Sequence, residues 1–298
     1  MENLVLAVVG PTATGKSATA MALAERHGGE VVACDSTAVY RGLDIGTDKV
    51  PLAEQRGIPH HLVDMVDATE TYSAARYATD AAAAIHDIHA RGKVPILAGG
   101  TGFYYRALVR GLFPGPARDE ALRERLNRVA ARRGVESLHR WLQRVDAESA
   151  ARVMPRDQKR LVRALEVYLL TGKPLSAHFA ETVSPIAGWR IRTFGLTVSR
   201  DVLRDRVTRR VAQQFERGVV DEVRTLVAGG VPMTAHAFSG LVYRQIIEML
   251  QGVRNEADTR ALIVQENMRY AKRQLTWFRH EPDVTWIEPG IVPDIAPI

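Results

Sequence analysis

The chain opens on an unbroken apolar run at residues 4–9 that stops at Gly10. A short run without polar alternation predicts a strand buried on both faces, as parallel sheets require. A glycine-bounded loop at 10–17 leads into a helix at 18–27. A second strand is predicted at 31–33, stopping at Cys34, Asp35 and Ser36. Residues 72–89 are alanine-rich and predict a helix. A third strand, 94–98, closes on Gly99, Gly100, Thr101 and Gly102, and another helix starts within 103–109. Strands alternating with helices predict an α/β fold with a parallel sheet.

Pro114 and Pro116 break this rhythm, and from 116 to 190 the pattern is helical and rich in arginine. A return strand is predicted at 192–198, then a long amphipathic helix at 200–227. Further helices reach residue 278, and a proline-rich tail from 282 is expected to be peripheral. The predicted organisation is a core of residues 1–115 and 191–298 interrupted by a helical insertion domain at 116–190.

Charge sharpens that division. The chain has 40 Lys and Arg against 34 Asp and Glu. The insert holds 15 of those bases and 9 of those acids, so its excess of six equals that of the whole chain. A basic insert on a neutral core suits an acidic partner and equally suits a solvated surface. Cys34 is the single cysteine, which excludes disulfide frameworks and multi-cysteine metal sites within one chain. The first residues lack the features of a signal peptide, and no apolar run approaches a membrane span, so the expected location is cytoplasmic.

Gly10, Pro11, Thr12, Ala13, Thr14, Gly15, Lys16 and Ser17 match G-x-x-x-x-G-K-[ST] in full, between a strand and a helix. Glycines let backbone N–H groups turn inward around phosphate oxygens, and the helix directs its positive end at the same anion. Lys16 adds a mobile charge, and the Ser17 hydroxyl suits Mg²⁺. The motif predicts a P-loop NTPase-like parallel sheet flanked by helices, and polyphosphate binding. It does not specify ATP.

Asp35 ends the second strand, where ligands of open α/β sheets bind, and so reads as a proton acceptor or as a turn-capping aspartate. The third strand ends in glycines with no acid, which disfavours an ATPase. Those glycines would let substrate approach the backbone, and Thr101 offers a hydroxyl or a helix cap. Arg206, Arg209 and Arg210 sit on one helix, where one or two could neutralise a diphosphate. Arg156, Lys159, Arg160 and Arg163 cluster at a helix start and could follow a nucleic-acid backbone or form a solvated face. Arg269, Lys272, Arg273, Trp277 and Arg279 mix charge with an aromatic, which suits phosphates and a stacked base or, for Trp277, the core. His60, His61 and Asp64 lack a completing ligand set and fit turn and core roles.

Together these stretches resemble one family, the tRNA dimethylallyltransferases, or isopentenyl-tRNA transferases, in their bacterial form. The matching stretches are GPTATGKS, DSTAVYRGLDIGTDK, PHHLVD, GGTGFYYRAL, QKRLVRALEVYLLTGKPLS and RYAKRQLTWFR, in the family's order across residues 10–279. The resemblance implies a dimethylallyl diphosphate donor and, as acceptor, the adenosine 3′ to the anticodon in tRNAs reading codons that begin with U. The phosphate loop would hold the leaving diphosphate with Mg²⁺. Asp35 would be the general base, Thr101 would lie at the target nucleotide, and Arg210 would neutralise the diphosphate. The tRNA-contacting stretches implied are Asp35, Ser36, Thr37 and Ala38, then Gln158, Lys159, Arg160, Leu161 and Val162, with Arg123 in the insert. The family implies a monomer working on the anticodon stem-loop of tRNA, away from membranes. Two departures stand out: Thr14 replaces a usual serine, and Val242 replaces a usual glycine. Other readings of the same motifs are a small-molecule kinase, a transferase acting on free adenylate, and a non-catalytic RNA-binding protein.

Overall fold

The computed structural model describes residues 3–113 and 115–293; Pro114, one of the two prolines read as a break, lies outside them. Two compact units emerge, one of residues 1–109 with 185–298 and one of residues 110–184. The second unit therefore begins and ends a few residues before the stretch read from composition. Arg190 starts a core strand and does not belong to it.

The first unit is built on six parallel strands: β1 (Leu4–Val9), β2 (Gly29–Cys34), β3 (His60–His61), β4 (Val94–Gly99), β5 (Arg190–Leu196) and β6 (Val284–Ile287). Their order is β3-β2-β4-β1-β5-β6. Connecting helices are α1 (Lys16–His27), α2 (Ala74–Ala90) and α3 (Gly102–Arg110). Leu6, Val8, Leu23, Val31, Ile96 and Leu196 form one buried cluster between β-sheet and α1. Each fully buried aliphatic there contributes roughly 1.5–3 kcal/mol.

Register places the site. Val9 pairs with Gly99, and Cys34 pairs with Gly99 on the other side. β1, β2 and β4 therefore end level, and the next residues, Gly10, Asp35 and Gly100, leave the sheet along one edge. Gly99 must be glycine because a side chain there would overlap the Cys34 backbone.

The second unit contains α4 (Glu120–Arg133), α5 (Glu136–Val145), α6 (Ala147–Arg152), α7 (Gln158–Thr171) and α8 (Leu175–Ala180). Leu126, Leu138, Leu142, Leu161, Val162 and Leu165 form its own core. Glu166 is fully buried there and accepts from the Asp119 N–H and from both Arg123 and Arg163.

After β5 come α9 (Arg200–Glu216), α10 (Val219–Ala228), α11 (Tyr243–Leu250) and α12 (Glu256–Arg279). The single helix expected at 200–227 is thus two, broken at Gly218, whose φ of 87° leaves helical space. The described tail is not peripheral. β6 closes the sheet, Ile287 and Val292 pack on the core cluster, and Arg26 donates to the Val292 carbonyl at 3.0 Å. No helix among the described residues is long and apolar enough to cross a membrane.

Candidate functional site

A cavity of about 260 Å³ opens at the carboxyl edge of the sheet. Thr12, Ala13, Gly15, Lys16 and Ser17 line one side, and Asp35, Ala38, Gly99 and Gly100 line the other. The phosphate loop and the carboxylate that ends β2 therefore open onto one pocket.

The loop's shape follows from its residues. Gly10, Ala13 and Gly15 have φ of 136°, 61° and 94°. A side chain at Gly10 would press on the Leu196 carbonyl, so the sheet itself demands glycine there. Thr14 is buried and donates from Oγ1 to the Pro11 carbonyl at 2.8 Å, closing the loop on itself. Its hydroxyl is thus a fastener of the loop. Lys16 Nζ also donates to the Pro11 carbonyl, at 2.6 Å. Desolvation at the cavity floor lowers the Lys16 pKa to about 8; Arg210 adds to the shift, and Asp35 opposes it. The Ser17 hydroxyl is exposed to the cavity at the first turn of α1.

Of Arg206, Arg209 and Arg210 on α9, Arg210 lines the cavity. Its Nη1 donates to Thr12 Oγ1 at 2.7 Å, and its Nε is ion-paired with Asp48. Asp48 also accepts from Gln214 at 2.9 Å and pairs with Arg217. The guanidinium is held from behind while it faces the phosphate loop.

Asp35 caps its turn and also lines the cavity. Its Oδ1 accepts from Thr37 N–H at 2.8 Å, Thr37 Oγ1 at 2.7 Å and Ala38 N–H at 3.2 Å. That oxygen folds the turn. Oδ2 makes no hydrogen bond among the described residues, and the side chain lines the cavity. Thr101 accepts at Oγ1 from the Ser36 N–H at 3.2 Å, tying the exits of β2 and β4 together. Tyr270 also lines the cavity, and desolvation first, then nearby Asp35, push its phenol up to about 12. Cys34 is buried, and burial pushes its thiol up to about 12, so it is unreactive at neutral pH.

The remaining loop, 36–50, is pinned from several sides. Glu222 accepts from the N–H groups of Asp44 and Ile45 at 2.9 and 2.6 Å and from Tyr243 OH at 2.8 Å. Lys49 donates to the Tyr40 carbonyl at 2.6 Å and to Asp44 and Asp64 at 2.7 and 2.5 Å. Asp64 therefore fastens this loop. His61 Nε2 lies 2.7 Å from Glu30.

Several sequence expectations require correction. Gly99 and Gly100 do not make room for substrate: Cys34 and the Gln274 amide fill the space beside them. Leu161 and Val162 are buried in the second unit's core, on the inner face that helical periodicity gives them, so their side chains pack the fold. Ala38 is likewise buried. Arg123 and Arg163 are committed to Glu166. Lys159 and Arg160 are exposed on the outer face of α7, and Gln158 donates to Asn127 at 2.8 Å. Trp277 stacks under Arg106 at 4.4 Å and abuts Gly102, which makes it a packing residue. Asp48, Tyr270 and Gln274 line the cavity without having been assigned a role from sequence. The four-residue spacing of Tyr270 and Gln274 on one helix was the available signal.

A strand, glycine-bounded loop and helix facing a strand-end carboxylate define an α/β protein of P-loop-like fold. Comparison with known proteins gives the family. Residues 38–281 match the IPP transferase family. The tRNA dimethylallyltransferase of Solibacter usitatus is 50% identical over 97% of this chain and 94% of its own. That of Geobacter metallireducens is 47% identical over 95% and 92%. Among solved structures, the full-length tRNA isopentenylpyrophosphate transferase of Bacillus halodurans is 38% identical, with a TM-score of 0.71 over 96% of this chain and 90% of that one. A eukaryotic dimethylallyltransferase captured acting on tRNA is 27% identical, with a TM-score of 0.77 over 96% and 74%. The chain belongs to the IPP transferase family.

Proposed function

We propose that this chain transfers a dimethylallyl group from dimethylallyl diphosphate to tRNA, at N6 of the adenosine 3′ to the anticodon in tRNAs reading codons that begin with U. The observation that carries the reading is the single cavity shared by the phosphate loop, Arg210 and Asp35. The names of its relatives specify the chemistry that such a cavity would serve.

The leaving diphosphate lies against Lys16, Arg210 and the N-terminus of α1, an arrangement of positive charge in a partly dry site. Mg²⁺ fits this donor set, because it binds through one or two protein oxygens together with substrate phosphates, and Ser17 offers the hydroxyl. Bound there, it would add charge neutralisation to the leaving group. The acceptor adenine leaves its stack before its edge can react. Its N6 attacks C1 of the donor, the C1–O bond breaks, and the N6 proton passes to Asp35 Oδ2. An exocyclic amine is a poor acid, so proton loss accompanies attack. Thr101 positions the target nucleotide, and Gln158, Lys159 and Arg160 contact the tRNA. The protein works as a monomer in the cytoplasm.

Mass spectrometry of nucleosides from tRNA incubated with the protein, dimethylallyl diphosphate and Mg²⁺ tests this. A dimethylallyl-adenosine confined to tRNAs reading codons that begin with U is expected. Unmodified tRNA, or a phosphorylated product formed from ATP, would overturn it.

A further inference from the structure

α12 runs alongside the cavity and touches both of its sides through a single residue. Gln274 Oε1 accepts from the Thr12 N–H at 2.8 Å, and its Nε2 donates to the Gly100 carbonyl at 2.9 Å. The side chain is buried. Thr12 belongs to the phosphate loop, and its hydroxyl accepts from Arg210. Gly100 adjoins Thr101, which holds the Ser36 N–H beside Asp35. One neutral amide thus ties the leaving-group side of the cavity to the acceptor side.

The contact is built for glutamine. An amide donates from one atom and accepts at another, so it can span two partners without adding charge next to an anion site. A side chain at Gly100 would overlap Nε2, so that glycine exists to admit the amide. The Thr12 N–H is withdrawn from the anion cradle by this bond, so the interaction does not serve phosphate binding directly. Neighbouring residues of α12 follow the same edge: Tyr270 lines the cavity, and Trp277 abuts Gly102.

We infer that Gln274 is a positioning residue that fixes the spacing between the departing diphosphate and the attacking amine. This rests on the proposed transfer reaction. In-line displacement is sensitive to spacing, and a misplacement near 1 Å costs about 100-fold in rate.

Two variants test it. Gln274→Met removes both bonds at similar size. Gln274→Glu keeps an acceptor for Thr12 and loses the donor to Gly100. Hydrogen exchange of peptides covering 10–17 and 99–103 reads the tie without substrate. Exchange should rise at 10–17 in Gln274→Met and stay low there in Gln274→Glu. Single-turnover transfer at saturating substrates should fall about 10- to 100-fold in both. In Gln274→Met, which adds no charge, the dissociation constants for tRNA and for pyrophosphate should stay within about threefold of wild type. Unchanged exchange, an unchanged single-turnover rate, or a rate loss matched by equal losses of affinity and melting temperature would each overturn the positioning role. A wild-type protein that transfers nothing would instead sink the functional reading, and this role with it.

Discussion

Lys16 carries its charge at a cost. Desolvation first, with Arg210 adding to it, holds its pKa near 8, below the ordinary lysine range. The folded value is depressed, so the stability linked to this group is full above the unfolded pKa and is lost as pH falls through about 8. Replacing Lys16 by Met should therefore raise the melting temperature at pH 7 while weakening pyrophosphate binding. In the wild type, pyrophosphate affinity should fall as pH rises through 8, because the neutral amine no longer attracts the anion. Calorimetric titrations across pH check this, and Lys16→Met should lose that component of the pH dependence. Val242 is a second residue at odds with its surroundings. It is β-branched and buried, with φ of 74° and ψ of −62°, where glycine is at ease. Val242→Gly relieves about 1–3 kcal/mol of strain and loses roughly 1.5–3 kcal/mol of burial. Its net effect in denaturant unfolding should therefore lie within about 1–2 kcal/mol of zero, unlike an ordinary buried valine truncation. At this scale residue type and spacing marked the loop, Lys16 and Asp35, while Arg210 was separated from Arg206 and Arg209 only by the family resemblance. The sequence did not reveal Asp48 or Gln274, since an aspartate that backs an arginine and a glutamine that bridges two loops have no local signature.

Elements were legible where they were long or strongly patterned. β1, β2, β4 and α2 lie close to where apolar runs and alanine content placed them. β3 has two residues and β6 four, too few for a period to register, and their strand identity comes from pairing with β2 and β5. Gly218 falls inside the stretch expected as one helix, yet its left-handed φ separates α9 from α10. In α7, basic residues fall on two faces that sequence could not separate. The outer face exposes Lys159 and Arg160, while Arg163 turns in to Glu166. Burial raises the Glu166 pKa, but Arg123, the Asp119 N–H and Arg163 outweigh it and hold the carboxyl down to about 2. The folded value is depressed, so its stabilisation is present above the unfolded pKa of about 4.3 and lost as pH falls toward 2. Glu166→Leu should destabilise the second unit by about 2–3 kcal/mol, because two arginines lose a charged partner. Its acid unfolding, followed by circular dichroism, should become less steep between pH 4 and 2.

On the scale of the whole molecule, the first unit is evenly balanced in charge and the second carries the basic excess. Part of that excess is spent internally, since Arg123 and Arg163 neutralise Glu166. Lys159 and Arg160 are exposed, Arg160 in a solvent-facing pair with Asp157 at 3.3 Å. Arg160→Ala should weaken tRNA binding and reduce the slope of log affinity against log salt by about 0.7–0.9, the share of one phosphate contact. An unchanged slope in filter binding across salt would remove Arg160 from the interface. Leu161→Ala should show itself in unfolding and leave that slope alone, because the side chain is core.

In the proposed reaction the phosphate loop and Asp35 act on two substrates held in one cavity. Asp35→Asn tests it most directly, because the amide oxygen can still accept from Thr37 and Ala38 and keep the turn while the proton acceptor is gone. Measured in single turnovers with saturating tRNA and dimethylallyl diphosphate, the transfer rate should fall about 10²–10⁴-fold with both affinities retained. A near-normal rate in that variant would contradict the account.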